Sequence, residues 1–137
     1  STLQQNSLFA TNLLHEITAR FNNFLTQHSA SQLTFLSYVG HDTTIAPILG
    51  LFNITTHECI LSNYLNSSAK NPACHSPGFA ASLRFELYKK TNTSDSYLKM
   101  FYDDHEINLC PNKSELCTVE TFNKTVELLT NGTTVDG

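Results

Sequence analysis

The sequence has little positive charge and no long apolar run. It contains 8 lysines and arginines against 12 acidic residues, which gives a formal net charge of −4. This balance leaves no basic footprint for nucleic acid or for an anionic membrane surface. The longest apolar candidate, Leu33–Val39, has the length of a strand and falls far short of the roughly 18 residues that a membrane-spanning helix needs. Neither nucleic-acid binding nor a membrane span is therefore expected.

An initiator methionine and a secretory signal are also absent, which by itself would favour the cytosol. The glycosylation sequons favour the opposite. With 13 asparagines and 30 serines and threonines, chance gives about three Asn-x-Ser/Thr sequons, and the chain has twice that number in polar contexts. We interpret the chain as a secreted or lysosomal–endosomal glycoprotein whose N-terminal portion is absent. The predicted glycosylation sites are Asn53, Asn66, Asn92, Asn112, Asn123 and Asn131.

The four cysteines favour the same compartment. Cys59, Cys74, Cys110 and Cys117 form an even set, which predicts disulfide bonds in a secretory protein. Sequential pairing would close two short loops, but four cysteines allow three connectivities and the sequence does not choose among them. Zinc is the rival interpretation, and the absence of any Cys-x-x-Cys pair makes it the weaker one.

A hydrophobic content of 40% and a charged content of 15% over 137 residues predict one modest globular domain. Apolar residues recur at helical spacing from Ala10 to Leu25. The run Leu33–Val39 is apolar on both faces, which is typical of a buried central strand. A second helix is predicted from Thr43, with Pro47 in its first turn. This succession of helix, buried strand, turn and helix indicates an α/β fold.

The second half of the chain has a different pattern. Residues 53–77 look like a polar loop that contains two of the cysteines. Alternating residues in Ser82–Tyr88 and Tyr97–Tyr102, joined by a polar turn, predict an antiparallel hairpin. A short strand is expected at Glu106–Leu109, followed by a last helix with Thr118 as its N-cap.

The clearest candidate for chemistry is the pair His41-Asp42, which follows the predicted central strand and precedes a helix. In open α/β sheets ligands bind at such a point, and the first turn of the helix favours an anion. His41 can donate a hydrogen bond to a phosphoryl oxygen, Asp42 can deliver a proton, and Thr43 and Thr44 add hydroxyl groups. The ordinary alternative is helix capping by Asp42 and a hydrogen-bonded core role for His41.

The run Tyr38–Leu49 resembles the second signature of the histidine acid phosphatases, the acid phosphatase and phytase branch of the histidine phosphatase superfamily. The following strand, the hairpin and the Cys110–Cys117 segment are also similar in order and spacing, so the likeness covers most of residues 8–130. Inositol-polyphosphate relatives usually have His-Ala-Glu at this point. Asp42 therefore favours the acid-phosphatase side.

This resemblance implies that residues 1–137 are a single partial domain, the C-terminal part of a mostly parallel sheet with flanking helices and a C-terminal antiparallel hairpin. It implies hydrolysis of a phosphomonoester through a phosphohistidine, with no metal and no cofactor. His41 would bind the phosphoryl group together with Thr43. Asp42 would act as general acid and then as general base.

The sequence also departs from the family. The nucleophile motif Arg-His-Gly-x-Arg-x-Pro is absent, because the only arginines are Arg20 and Arg84 and each is followed by Phe. The resemblance thus implies a fragment, inactive alone, whose partner is the missing N-terminal portion of the same enzyme; a homodimer of the full-length form is also open. Two alternatives remain: a non-catalytic secreted glycoprotein relative, or an unrelated disulfide-bonded domain. Of the other histidines, which are predicted to be structural, His75 is the first to reconsider.

Overall fold

The computed structural model describes residues 2–27, 35–66, 68, 70–110 and 116–131, with side chains from residue 8 onward. Three helices, an antiparallel sheet and a last helix follow one another along these residues, a mixed fold that is consistent with the α/β class. The helices are α1 (Thr2–Thr26), α2 (Asp42–Leu51), α3 (His57–Leu65) and α4 (Val119–Thr130), and the strands are β1 (Leu83–Lys89), β2 (Ser96–Tyr102), β3 (His105–Ile107) and β4 (Cys117–Thr118).

The sheet is built around β2. β1 pairs with β2 antiparallel over its whole length, from Leu83 opposite Tyr102 to Lys89 opposite Ser96, so the predicted hairpin is confirmed. β3 and β4 also pair antiparallel with β2. Short connections between successive strands permit only antiparallel pairing, because a parallel pair needs a long crossover. The predicted mostly parallel sheet is therefore not found among the described residues.

The predicted central strand Leu33–Val39 is not formed in the part of it that the structure describes. Leu33 and Thr34 lie outside the described residues, and residues 35–40 belong to no helix or strand. This stretch is exposed, and Val39 has 97% of its surface open to solvent. A strand needs a neighbour for its N–H and C=O groups, and no described residue supplies one here. The apolar residues are there, but no strand in the described part of the chain pairs with them.

The core lies between one face of the hairpin and three helices. Alternating residues of β2 are buried, and Phe122 of α4 is fully buried among the rings of Phe21, Phe52 and Phe85. Phe52 stacks on Phe122 with ring centroids 6.1 Å apart. These aromatic contacts join α1, the end of α2, the sheet and α4 into one cluster. The buried apolar residues of that cluster are Ala10, Leu14, Ile48, Leu49, Leu98, Met100, Tyr102, Leu109, Cys110, Cys117, Val119, Phe122 and Val126.

Two of the predicted helices are confirmed with small differences. The Thr118 hydroxyl accepts a hydrogen bond from the Thr121 N–H at 3.1 Å, which is the N-cap predicted for α4. Helix α2 begins at Asp42, so Pro47 lies in its second turn rather than its first. Pro47 has no N–H to donate, and the Thr43 carbonyl therefore lacks the usual bond from the residue four places on.

The predicted loop 53–77 contains an additional helix, α3. Thr56 is its N-cap and accepts from the Cys59 N–H at 3.1 Å. No residue of α3 is fully buried, so packing contributes less to this helix than to the others. It is tied to the following loop by Cys59–Cys74, whose Cα atoms are 5.9 Å apart, and by Asn63, whose amide donates to the carbonyls of Asn71 and Cys74 at 2.7 and 3.0 Å.

The remaining cysteines, Cys110 and Cys117, are also paired, with Cα atoms 5.4 Å apart. Of the three connectivities that the sequence left open, the structure thus has the sequential one. No helix in the described part of the chain is long and apolar enough to cross a bilayer.

Candidate active site

The predicted catalytic pair lies where helix α2 begins. His41 is the N-cap and has extended backbone angles, φ −116° and ψ 171°, and Asp42 is the first helical residue. Both side chains are exposed. The turn is closed by Thr44, whose N–H donates to the His41 carbonyl at 2.9 Å and whose hydroxyl accepts from the His41 N–H at 3.2 Å. Both backbone groups of His41, its N–H and its carbonyl, are therefore held by Thr44.

Gly40 is required for this turn because of a close approach. A Cβ placed on Gly40 would lie 2.8 Å from Oγ1, 3.2 Å from Cβ and 3.3 Å from Cγ2 of Thr44. The first distance is shorter than a van der Waals contact allows, so a larger residue would displace Thr44. The glycine of the motif is thus explained by the same threonine that holds His41.

Asp42 makes a local contact with the helix. Its Oδ1 accepts a hydrogen bond from the Thr43 N–H at 2.8 Å, so one carboxylate oxygen is fixed near the free N–H groups of the first turn. A negative charge is favoured there by the helix dipole. The ordinary role expected of Asp42, the N-cap of this helix, belongs instead to His41, because Asp42 is already the first helical residue. Thr43, the other predicted phosphate ligand, is exposed beside it.

A cluster of three side chains holds the segment that leads to His41. The Tyr38 hydroxyl donates to Glu16 Oε1 at 2.7 Å and accepts from Arg20 Nε at 2.9 Å. Arg20 also donates to the same Glu16 oxygen, at 3.2 Å from Nε and 3.0 Å from Nη2. Glu16 and Arg20 lie one turn apart on α1. The cluster therefore anchors the chain three residues before His41 to a helix that is packed into the core.

The electrostatics of this cluster follow from its hydrogen bonds. The bond from Tyr38, then the bond from Arg20, lowers the pKa of Glu16. Burial, then the bond to Glu16, raises the pKa of Tyr38. Both shifts favour an ionised carboxylate and a protonated phenol. The carboxylate of Glu16 therefore stays ionised to a lower pH than it would without these two bonds.

Two other histidines have partners that the sequence did not indicate. His75 Nε2 lies 2.8 Å from Asp103 Oδ2, Nδ1 lies 2.9 Å from the Pro72 carbonyl, and the ring stacks on Tyr102 at 4.6 Å. Both nitrogens face acceptors, so the two bonds form together only when both carry hydrogen. His15, predicted on a helix surface, lies 3.1 Å from the Thr130 hydroxyl at the α1–α4 contact.

Asp103 lies in the two-residue turn between β2 and β3. Its φ of 46° and that of Asp104, 66°, are both in the left-handed region, which is typical of a tight hairpin. Burial alone would raise the pKa of Asp103. The hydrogen bonds from His75 and from the Ser82 N–H, and the charges of His75 and His105, outweigh burial and lower it. The separation of 28 positions between His75 and Asp103 explains why no local pattern predicted this pair.

The family model of the histidine phosphatase superfamily (branch 2) matches residues 2–103. This is well over half of the chain, and it includes α1, the segment before His41, α2 and the β1–β2 hairpin. The chain belongs to this superfamily. No curated protein and no solved structure matches it.

Membership of the histidine phosphatase superfamily decides one of the open alternatives. The hypothesis that this is an unrelated domain with a fortuitous His-Asp pair is wrong, because the match extends far beyond that pair. Membership supports a phosphatase-type hydrolase that acts on a phosphomonoester. The paired cysteines are compatible with an extracellular or lumenal location. Within the described residues, no three His, Cys, Asp or Glu side chains come together as metal ligands would.

Proposed function

We propose that this superfamily member is the phosphate-binding and proton-donating part of a histidine acid phosphatase. The observation that carries the proposal is the position of His41 and Asp42, exposed at the N-terminus of α2 inside the matched region. A helix of this kind presents free N–H groups and the positive end of its dipole to an anion.

His41 is the group that stabilises charge on the transferring phosphoryl group. Its backbone is fixed by Thr44 and its imidazole is exposed, so the ring can donate to a phosphoryl oxygen without rearrangement of the turn. Donors that are already in place when charge develops give the largest electrostatic stabilisation. Thr43 lies next to this position and adds a hydroxyl donor.

Asp42 is the general acid for the leaving alcohol and then the base for the attacking water. Because Oδ1 already accepts the Thr43 N–H, the transferred proton is carried on Oδ2. In the first step that proton moves to the ester oxygen as the P–O bond breaks. In the second step the ionised carboxylate takes a proton from water as the phosphohistidine is hydrolysed.

The nucleophilic histidine comes from a part of the protein outside these 137 residues. Neither arginine here is available as a phosphate clamp: Arg20 is engaged by Glu16 and Tyr38, and Arg84 donates to Glu86 and Asp104 at 2.9 and 2.8 Å. In our proposal, the exposed segment 35–39 becomes a strand of a mostly parallel sheet beside the strand that bears the nucleophile. Residues 1–137 are then a partial domain.

A compartment and an assembly state belong to the same proposal. The disulfide bonds Cys59–Cys74 and Cys110–Cys117 and the sequons support an enzyme of the secretory pathway that works outside the cell or in a lysosomal lumen. A homodimer of the full-length form stays a prediction. The second candidate function is a non-catalytic glycoprotein, and the absence of the Arg-His-Gly motif from the sequence favours it. A coding sequence for that motif upstream of Ser1 would exclude this alternative.

The test is the substitution Asp42→Asn in the full-length protein, with Asp95→Asn in the exposed hairpin turn as the matched control. We expect turnover of alkyl phosphates to fall by about 10²–10⁴-fold, and turnover of aryl phosphates with good leaving groups to fall much less. Only a poor leaving group needs protonation, which is the reason for the difference. Equal losses on both substrates would refute the general-acid role, and wild-type rates for both would remove Asp42 from the mechanism.

A further inference from the structure

The six sequons are equivalent in the sequence, but the structure separates those it describes. Asn53, Asn66, Asn92 and Asn131 are exposed, whereas Asn123 is half-buried in the middle of α4. The sixth, Asn112, lies outside the described residues. This difference does not depend on the proposed phosphatase function.

The side chain of Asn123 belongs to the contact between α4 and α1. Its Nδ2 donates to Asn22 Oδ1 on α1 at 3.1 Å, across 101 residues of sequence. Its Oδ1 is covered by protein and has no hydrogen-bond partner among the described residues. Val119 and Val126, which lie four residues before and three residues after Asn123 and so share its face of α4, are buried. The Asn123 side chain therefore links α4 to α1 by a hydrogen bond.

A glycan at this position conflicts with that contact for a geometric reason. N-glycosylation forms a bond from Nδ2 to C1 of the sugar; the C1–O bond of a lipid-linked oligosaccharide pyrophosphate breaks, the pyrophosphate leaves and Nδ2 loses a proton. The product is a secondary amide, and in its trans form the substituent on nitrogen lies on the same side as the carbonyl oxygen. At Asn123 that side is covered, because Oδ1 has essentially no exposed surface. The sugar would separate α1 from α4.

Asn53 and Asn92 have the opposite environment. Asn53 follows the last turn of α2 with φ 56°, and Asn92 lies in the turn between β1 and β2 with φ 68°. Asparagine is one of the few residues that adopts this left-handed conformation readily. Both turns are held by backbone bonds, such as Asn53 N–H to Gly50 O at 3.0 Å. Within the described residues neither side-chain amide has a partner, so a sugar on Nδ2 disrupts no contact.

We propose that the folded, secreted protein carries N-linked carbohydrate at Asn53 and Asn92 and none at Asn123, whose amide joins α4 to α1. Oligosaccharide transfer acts on the nascent chain, so a sugar could reach Asn123 before folding. Such molecules cannot close the α1–α4 contact and are absent from the folded product.

The experiment expresses the full-length protein in a glycosylating eukaryotic host and maps the secreted product. Enzymatic removal of glycans in heavy-oxygen water marks each formerly occupied asparagine as a heavy aspartate. We expect the mark at Asn53 and Asn92 and an unmodified peptide at Asn123. A heavy aspartate at Asn123 would overturn the proposal, as would a secreted product with no mark at Asn53 or Asn92.

Two matched substitutions remove sequons without changing the asparagines. Thr125→Ala destroys the Asn123 sequon and leaves the interhelical amide in place, and Ser94→Ala does the same for Asn92. We expect Ser94→Ala to lose the mass of one glycan and Thr125→Ala to lose none. A glycan-sized loss in Thr125→Ala would contradict the proposal.

The interhelical role of Asn123 has a readout of its own in protein made without glycans. Asn123→Ala is expected to lower the Tm by a few degrees, whereas Lys124→Ala, at an exposed position next to it, should leave the Tm unchanged. If Asn123→Ala melts like the Lys124 variant, the amide does not join the helices and the structural basis of the proposal fails.

Discussion

The substitution Gly40→Ala tests how the turn before α2 is built. The added Cβ would lie within 3.3 Å of three side-chain atoms of Thr44, and one of these distances does not change when the side chain rotates, because it runs to the Thr44 Cβ at 3.2 Å. Rotation about χ1 also exchanges the oxygen and methyl positions, so the hydroxyl leaves the His41 N–H. We expect Thr44 and the backbone of the first turn to move.

The magnitude is the sum of opposing effects. Loss of the capping bond costs about 1 kcal/mol, and crowding at a half-buried threonine costs about 1 kcal/mol more, at the low end for overpacking. Restricting the unfolded chain returns about 0.4–1 kcal/mol. The net destabilisation is about 1–2 kcal/mol. Gly50→Ala is the matched control, because a Cβ there meets nothing within 4 Å, and alanine in a helix should stabilise by about 0.5–1 kcal/mol.

Urea unfolding followed by circular dichroism measures both variants, and amide hydrogen exchange reports on the His41 N–H. We expect Gly40→Ala to be the less stable of the two by about 2 kcal/mol and its His41 amide to exchange faster. The reasoning is refuted if the two alanine variants are equally stable and the His41 amide keeps its protection. That result would mean that Thr44 can yield without losing its bond.

Three further outcomes are expected. Phe122→Ala should lower the free energy of unfolding by about 3–5 kcal/mol in urea, because a fully buried ring is removed from contact with three others. Leu128→Ala is the control: this position is 76% exposed, and the free energy of unfolding should change by less than about 0.5 kcal/mol. Tyr38→Phe should raise the pKa of Glu16 toward its ordinary value, which an NMR titration measures. Because the folded-state pKa of Glu16 is lowered, its ionised carboxylate contributes to stability above the ordinary pKa, and this contribution is lost as the pH falls through the lowered pKa. An unchanged Glu16 titration would show that the Tyr38 hydroxyl does not bond to this carboxylate. Burial, and then the neighbouring carboxylate of Asp103, raises the pKa of Tyr102 to about 12. The contribution of its protonated phenol to stability should therefore be intact below pH 10 and be lost as the pH rises toward 12. Ultraviolet absorbance should show a late phenolate step that is missing in Tyr102→Phe.

The parts of the fold that the sequence predicted correctly are those with a local signal. Helix α1 and helix α4 have apolar residues at helical spacing, and α4 also has the threonine cap at Thr118. Strands β1 and β2 alternate and are joined by a polar turn, which sets their register. Helix α3 had a cap at Thr56 as well, but its apolar side is exposed, and the polar composition around it concealed the pattern.

The candidate site divides in the same way. The turn Gly40–Thr44 is made by neighbouring residues, so its position before a helix could be predicted. The cluster of Glu16, Arg20 and Tyr38 joins residues 18 and 22 positions apart, and the pair His75–Asp103 joins residues 28 positions apart. No periodicity or spacing connects such residues.

By itself, then, the sequence determined the local elements of this superfamily member and the residue types of its His-Asp turn, because caps, alternation and helical spacing act over a few residues. Tertiary structure decided which surfaces those elements cover. Among the residues that the structure describes, segment 35–39 has no pairing strand, because a strand depends on a distant neighbour. Tertiary structure also placed one sequon between two helices and left four others in solvent, since burial depends on the packing of the whole chain.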